Sequence, residues 1–316
     1  MIITVTPNPS IDRAFDLDVL RLGEVNRAEN THFDPGGKGI NIARALANNG
    51  IATTALFPSG GPDGELLMQT LAGQGVLARP VPIGGAVRSN ITLVEGNGST
   101  TKVNAPGPVL TTAEADSLLA AADSLLAAGA SWLVGAGSLP SGVREDFYQQ
   151  LAGIARRHGT RFALDTSGPA LAAAVGDGDL AVVKPNEDEL AELLGVELST
   201  VGDVIDGAHR LIANGIDSVL VSLGANGALL VTAGRAWWAG GPPLVPLSTV
   251  GAGDTTLAGY LATTGDPPEC LRTAVAWGRA AVLLPGSAAL SPQHVDVSAV
   301  RVIADPDPRL ALKELT

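Results

Sequence analysis

From Thr111 to Gly224 the chain repeats one unit, a helix-forming stretch followed by a short apolar run, and this alternation limits the fold more than any other feature. Ala113 to Ala127 feed Trp132-Leu133-Val134, and Arg144 to His158 feed Phe162-Ala163-Leu164-Asp165. A shorter helix feeds Leu180-Ala181-Val182-Val183, and a helix around Asp203 to Ala213 feeds Ser218 to Gly224. Runs that are apolar throughout need cover on both faces, and strands that alternate with helices line up in parallel. The expected class is therefore α/β, a mostly parallel sheet flanked by helices. Ligands of such sheets gather beyond the carboxyl ends of the strands. Asp165, Lys184, Ser222 and Gly224 all fall there.

The N-terminal third reads differently. Ile2 to Thr6 is a first strand stopped by Pro7-Asn8-Pro9, a turn that delivers Asp12. Residues 13–34 carry alternating pieces such as Ala14-Phe15-Asp16-Leu17 but no helical period. Thr53 to Phe57 reads as a strand and Gly64 to Gly73 as a helix. Val87 to Val94 alternates, Glu95-Gly96-Asn97-Gly98 is a hairpin signal, and Thr100 to Val103 is the returning strand. These pieces predict a small sheet, with strands from about 13–34 and 87–103, inserted into one domain spanning 1–316. No repeat or low-complexity linker divides the chain.

Charge and cysteine usage exclude several classes of function. A net charge of −12 disfavours nucleic acid or an anionic membrane surface as partner. The most membrane-like window, Leu118 to Gly137, is broken by Asp123 and several Ser and Gly residues, so a soluble protein is expected. The single cysteine, Cys270, rules out an intrachain disulfide and a cysteine-based zinc cluster, and it fits a cytoplasmic setting.

Four stretches carry chemistry. Ser248-Thr249-Val250-Gly251-Ala252-Gly253-Asp254 opens a small, apolar helix read over Thr255 to Thr263. Glycines at a helix start bring unpaired N–H groups and the positive dipole end toward an anion. Asp254 there is either a helix cap or a base that takes a proton from an attacking hydroxyl. Asp34-Pro35-Gly36-Gly37-Lys38-Gly39-Ile40-Asn41 is a second glycine-rich loop running into a helix. It is not a Walker A loop, and Lys38 is an anion contact or a solvated lysine. In Lys184-Pro185-Asn186-Glu187-Asp188-Glu189, Asn186 and Glu189 can face a hydrated divalent cation or simply form a charged first helical turn. Ser222 to Ala228 ends a strand in a Gly-x-x-Gly turn with room for a flat or phosphorylated ligand. Arg88 is a surface residue or a fork-shaped phosphate ligand.

Thr6-Pro7-Asn8-Pro9-Ser10-Ile11-Asp12, the 36–41 loop, the 184–189 turn and the 250–254 loop occur in this order. Together they resemble the ribokinase-like (PfkB) family of carbohydrate kinases over essentially the whole chain. Gly23-Glu24-Val25-Asn26-Arg27, Arg88-Ser89-Asn90, Gly137-Ser138-Leu139-Pro140 and Ser248-Thr249-Val250-Gly251 are similar to the hexose-phosphate kinase branch, which includes 1-phosphofructokinase and tagatose-6-phosphate kinase. The resemblance implies ATP and Mg²⁺ as cofactors, with Asp254 as catalytic base and Gly251, Ala252 and Gly253 as its anion hole. It implies that Asp12, Gly37 and Asn41 hold sugar hydroxyls, and that Lys38, Arg88, Ser138 and Arg27 handle the substrate's phosphate. Lys184, Asn186, Ser222, Gly224 and Gly227 would form the ATP side, with Asn186 and Glu189 near magnesium. The inserted sheet would be the family's lid, through which related kinases pair as homodimers. Thr255 stands where the family commonly has Ser, and the hydroxyl is kept. The expected reaction converts fructose 1-phosphate to fructose 1,6-bisphosphate, with tagatose 6-phosphate or fructose 6-phosphate as rival substrates. A non-catalytic sugar-phosphate sensor is opposed by the intact Asp12, Asp254 and Asn186/Glu189 set. A dinucleotide oxidoreductase lacks its Gly-x-Gly-x-x-Gly strand turn.

Overall fold

The structure is a computed structural model that describes residues 1–286, 288 and 290–315. Ser287, Ala289 and Thr316, which fall inside the expected 1–316 domain, lie outside the described residues. The N-terminal part holds β1 (Ile2–Val5), β2 (Ser10–Leu17), β3 (Asn30–Gly36), α1 (Lys38–Asn48), β4 (Thr53–Ser59), α2 (Gly61–Gly73), β5 (Leu77–Pro82), β6 (Arg88–Glu95) and β7 (Thr100–Val103). The middle holds α3 (Thr112–Leu126), β8 (Trp132–Ala136), α4 (Phe147–Arg157), β9 (Arg161–Asp165), α5 (Gly168–Gly176), β10 (Val182–Val183), α6 (Glu187–Leu194), α7 (Val201–Ala213) and β11 (Ser218–Ser222). Then follow β12 (Ala228–Thr232), β13 (Ala236–Gly240), α8 (Ala252–Ala262), α9 (Pro267–Ala281) and β14 (Arg301–Ala304).

A ten-stranded sheet runs β14-β13-β12-β11-β10-β9-β8-β1-β4-β5. β1 lies parallel between β4 and β8, with Ile2 opposite Thr53 on one side and Trp132 on the other. Successive strand residues face opposite sides, so the apolar run Ile2-Ile3 feeds two cores. Ile3, Leu133, Leu164 and Val219 pack with Leu118 of α3, Leu151 of α4, Leu171 of α5 and Val204 of α7. Ile2, Val134, Ala163 and Leu220 pack on the other face with Leu46 of α1, Leu257 of α8 and Val275 of α9. The expected α/β class with a mostly parallel sheet flanked by helices is what the chain adopts.

Four strands were not anticipated from the sequence. β5 contains Pro80 and Pro82, which interrupt a ladder, and it tolerates them as the last strand of the sheet, paired only to β4. β12, β13 and β14 are antiparallel additions at the opposite edge. α4 begins at Phe147 rather than Arg144, and α8 begins at Ala252 rather than Thr255.

A separate four-stranded sheet runs β3-β2-β6-β7. Its register sets Asp12 between Asp34 of β3 and Asn90 of β6. Two polar ties fasten it to helices of the main body. Buried Arg44 of α1 donates to the Pro35 carbonyl and to Asp34 Oδ1, both at 3.2 Å. Asp63 of α2 accepts from Arg13 of β2 and Ser89 of β6, each at 2.7 Å. Between these ties Ile11, Ile40, Phe57, Leu67 and Val87 form a third apolar cluster. Among the described residues no helix is long and apolar enough to cross a membrane.

Candidate active site

The glycine loop before α8 makes a sharp turn at Gly251, which is left-handed at φ 73 and caps the helix. The first intrahelical bond runs from the Thr255 N–H to the Gly251 carbonyl at 2.8 Å. The N–H groups of Ala252, Gly253 and Asp254 therefore precede the ladder; Ala252 reaches only the Thr249 carbonyl, at 3.4 Å. Thr255 Oγ1 also donates to the Gly251 carbonyl at 2.8 Å, a contact that a serine hydroxyl would make equally.

Asp254 does not cap this helix. It is the third residue of α8, its side chain makes no capping bond, and it is buried. Its Oδ2 accepts from Asn41 Nδ2 of α1 at 2.8 Å. Burial pushes its carboxyl up to about 6, and the negative charge of Asp165 adds to the rise against Asn41, Lys38 and Lys184. A carboxylate of that strength is suited to accept a proton near neutral pH.

Asp165 ends β9 with no exposure and sits between two lysines. Lys38 Nζ donates to its Oδ1 at 2.7 Å, and Lys184 Nζ lies 3.0 Å from its Oδ2. Burial opposes the charge of Asp165, yet Lys184 and Lys38 hold it below the usual carboxylate range. Burial likewise opposes the charge of Lys38, and Asp165 raises its ammonium well above the ordinary value. Lys184 also sits against the glycine loop, since a Cβ on Gly253 would lie 3.3 Å from its Nζ. A side chain at position 253 would push that ammonium away. Sequence reasoning placed Asp165 at a strand end without a role; the signal was a charge closing an otherwise apolar run.

Asp12 lies in strand β2 rather than in the preceding turn. Its Oδ1 accepts from Ser10 Oγ at 2.7 Å and Asn90 Nδ2 at 2.9 Å, which leaves Oδ2 beside Gly36. A Cβ on Gly36 would come within 2.3 Å of that oxygen, and one on Gly37, at φ 112, within 2.7 Å of Thr6 Cγ2. Exposed Ser138 accepts from Asn8 Nδ2 at 3.3 Å. The turn before it is fixed by Tyr148 Oη and Thr166 Oγ1, which both donate to the Gly137 carbonyl. Arg88 is half-buried and gives one bond each to the carbonyls of Ala105 and Asn8, at 2.8 and 3.3 Å. Ser10, Asn8 and Asn90 were not assigned roles from sequence, because their function is to hold other side chains.

Two residues beyond Lys184, Asn186 and Glu189 form a reciprocal capping box on α6. Asn186 Oδ1 accepts from the Glu189 N–H at 2.7 Å and Glu189 Oε2 from the Asn186 N–H at 2.9 Å. The charged-first-turn reading is thus realised, and Glu189 Oε1 remains, 3.8 Å from Lys38 Nζ. Asn186 bridges to Ser222 at the end of β11, whose N–H donates to Pro185. Gly224 and Gly227 flank the next turn with φ 55 and φ 85, and a Cβ on Gly227 would strike the Ala239 carbonyl at 2.0 Å. Arg27 lies exposed in the β2–β3 loop.

Residues 5–294 match the family described as pfkB family carbohydrate kinase. The chain belongs to this family. As a pfkB carbohydrate kinase it is a phosphotransferase with an alcohol group as acceptor. It is 39% identical over 300 residues to ATP-dependent 6-phosphofructokinase isozyme 2 of Mycobacterium tuberculosis, covering 93% of this chain and 88% of that protein. It is 38% identical over 288 residues to 1-phosphofructokinase of Rhodobacter capsulatus, covering 89% and 90%. Among solved structures, phosphofructokinase-2 of Escherichia coli in complex with potassium superposes with a TM-score of 0.87 at 36% identity, covering 93% of this pfkB kinase and 96% of that chain.

Proposed function

We propose that this kinase transfers the γ-phosphoryl group of ATP to a primary hydroxyl of a ketohexose monophosphate, converting fructose 1-phosphate to fructose 1,6-bisphosphate. The observation that carries the reading is Asp254, a buried carboxyl raised to about 6 in the first turn of α8, beside unpaired N–H groups. Asp254 takes the hydroxyl proton as the sugar oxygen bonds to the γ-phosphorus, and the bond to the bridging oxygen of ADP breaks. The N–H groups at 251–254 and the Lys184 ammonium behind Gly253 stabilise charge on the transferring group.

The free Oδ2 of Asp12 accepts a sugar hydroxyl, alongside Gly37 and Asn41. Arg88 uses only two of its five N–H groups on carbonyls, which supports it, with Ser138, as a ligand of the substrate's phosphate. Lys38, held by Asp165, supplies positive charge between the two phosphates, and Arg27 of the β2–β3 loop is a further cation for the substrate's phosphate. Lys184, Asn186, Ser222, Gly224 and Gly227 form the ATP side.

The donors near α6 limit how magnesium could be held. Asn186 Oδ1 and Glu189 Oε2 are used by the capping box, and no cluster of three acidic or imidazole ligands exists among the described residues. The one carboxylate oxygen outside the capping box, Glu189 Oε1, suits a hydrated Mg²⁺ held through water and phosphate oxygens, not a cage of protein ligands. When bound, Mg²⁺ offsets charge on the phosphate oxygens.

The small sheet is proposed as the lid of a single kinase domain that works in the cytoplasm. Exposed Phe33 and Val103 on its strands support pairing of two copies through it, which sedimentation of the purified protein checks. A second substrate, fructose 6-phosphate, is favoured by the similarity to the M. tuberculosis 6-phosphofructokinase. An ADP-release assay with Mg-ATP against fructose 1-phosphate, fructose 6-phosphate and tagatose 6-phosphate decides. The highest kcat/KM is expected for fructose 1-phosphate, and a preference for either rival overturns that choice.

A further inference from the structure

Asn41 and Asp254 lie 213 residues apart in sequence and meet across the contact between α1 and α8. Asn41 stands in the first turn of α1, where its N–H donates to the Gly37 carbonyl at 2.9 Å, so its backbone is fixed by the helix. An ionised carboxylate only accepts, so the amide NH₂ is the group turned toward Asp254. The pair sits directly behind the anion loop. A Cβ on Gly251 would lie 3.7 Å from Asn41 Nδ2 and 3.9 Å from Asp254 Oδ2.

We propose that Asn41 is a positioning residue for the base: its amide ties down Asp254 Oδ2 and leaves Oδ1 to take the proton. The proposal rests on the reading of Asp254 as base. Among the described residues this is the one hydrogen bond made by the Asp254 carboxylate. The charged groups facing the carboxylate are Lys38 of α1, Lys184 after β10 and Asp165 at the end of β9. α9, packed on the other flank of α8, sends its arginines elsewhere: Arg272 binds the Val300 carbonyl and Arg279 that of Pro242. Without the amide, a buried anion beside two ammonium groups is free to rotate toward either, away from the attacking hydroxyl. Asn41 Oδ1 is buried and takes no hydrogen bond, so a role in holding a sugar hydroxyl concerns the other end of the same amide. The two roles are separable by experiment.

The test compares Asn41→Ala and the isosteric Asn41→Asp with the wild type, with Asp254→Asn as control. The ¹³C signal of the Asp254 carboxyl, assigned by its loss in the control, is titrated in the free protein. pH profiles of kcat and kcat/KM are recorded with Mg-ATP and fructose 1-phosphate or fructose 6-phosphate, whichever is turned over. The Asn41→Ala midpoint is expected to rise by on the order of one unit, because a hydrogen bond to the charged form is lost. Asn41→Asp is expected to rise further, since two carboxyls would then share one proton. In both, kcat at saturating sugar falls by roughly tenfold or more, with part of the loss recovered at high pH. An unmoved midpoint with unchanged kcat, in a protein whose Asp254→Asn control is inactive, overturns this inference alone, even if KM for the sugar rises. An active Asp254→Asn control overturns the base reading itself. If the alanine variant fails to fold, the aspartate variant, which keeps the shape of the side chain, carries the comparison.

Discussion

The two sides of the site are built on opposite principles. The side proposed for the base lies deep: β8 is buried throughout, Asp165 and Lys184 stand at the carboxyl ends of β9 and β10, and these two and Asp254 of α8 have almost no exposure. The side proposed for the sugar is the small sheet, where every residue of β6 is only partly buried and all of β7 is exposed. Burial strengthens charge interactions and shifts proton affinities, so the first region suits the proton chemistry proposed for it. The second region keeps its polar groups in place by hydrogen bonds between side chains, as Ser10 and Asn90 do for Asp12. On the proposed function the molecule separates a buried, electrostatically perturbed catalytic floor from an accessible recognition wall.

That contrast is open to direct attack. Asp254→Asn is expected to lower kcat by about a hundredfold or more while leaving the fold intact by circular dichroism, the range of a lost general base. Asp165→Asn, in the same floor, should lower stability in urea by ~3–5 kcal/mol, because two partly or fully buried ammonium groups lose their anion. The third effect has the opposite sign. The folded-state value of Asp254 lies above its ordinary 3.8, so the folded protein favours the protonated form. Ionisation of Asp254 then subtracts stability, from nothing below pH ~4 to its full amount above pH ~6. Asp254→Asn should consequently be more stable than wild type at pH 7, by up to ~3 kcal/mol, and close to it at pH 4. Urea unfolding at the two pH values checks this, and an equal difference at both would break the claim that the floor strains its base. The smallest effect belongs to the wall. Arg88→Ala should raise KM for the sugar phosphate about tenfold, the worth of a charge-assisted hydrogen bond, with kcat little changed. A fall in kcat without a change in KM would merge the two regions into one.

The parallel core was legible because its strands are short, apolar and separated by helical stretches, a pattern that burial on both faces imposes directly. β5 was not, since Pro80 and Pro82 read as breaks until the strand is seen at an edge. β12 and β13 were hidden for another reason: the glycines at 224 and 227 announce a turn but not that the chain returns antiparallel. In the site, the glycine loops showed themselves through backbone demands that few other residues meet. Asn41 and Asp254 were visible as separate motif members. Their hydrogen bond was not, because nothing local relates two residues on different helices. The same holds for Asp165, whose two lysine partners come from positions 38 and 184. Asn186 and Glu189 were seen at the right spacing, and the capping box shows how much of that spacing the helix itself requires.

One rod carries arms to both regions. α1 bears Lys38 and Asn41, which reach Asp165 and Asp254, and six residues after Lys38 it bears Arg44, which grips Asp34 and Pro35 of the small sheet. A helix turns and shifts as a piece. A tilt of the small sheet that pulls on Arg44 therefore also drags the two residues on the catalytic floor. The recognition wall and the base are geared together through one axle, so neither can be re-aimed in design or evolution without re-aiming the other.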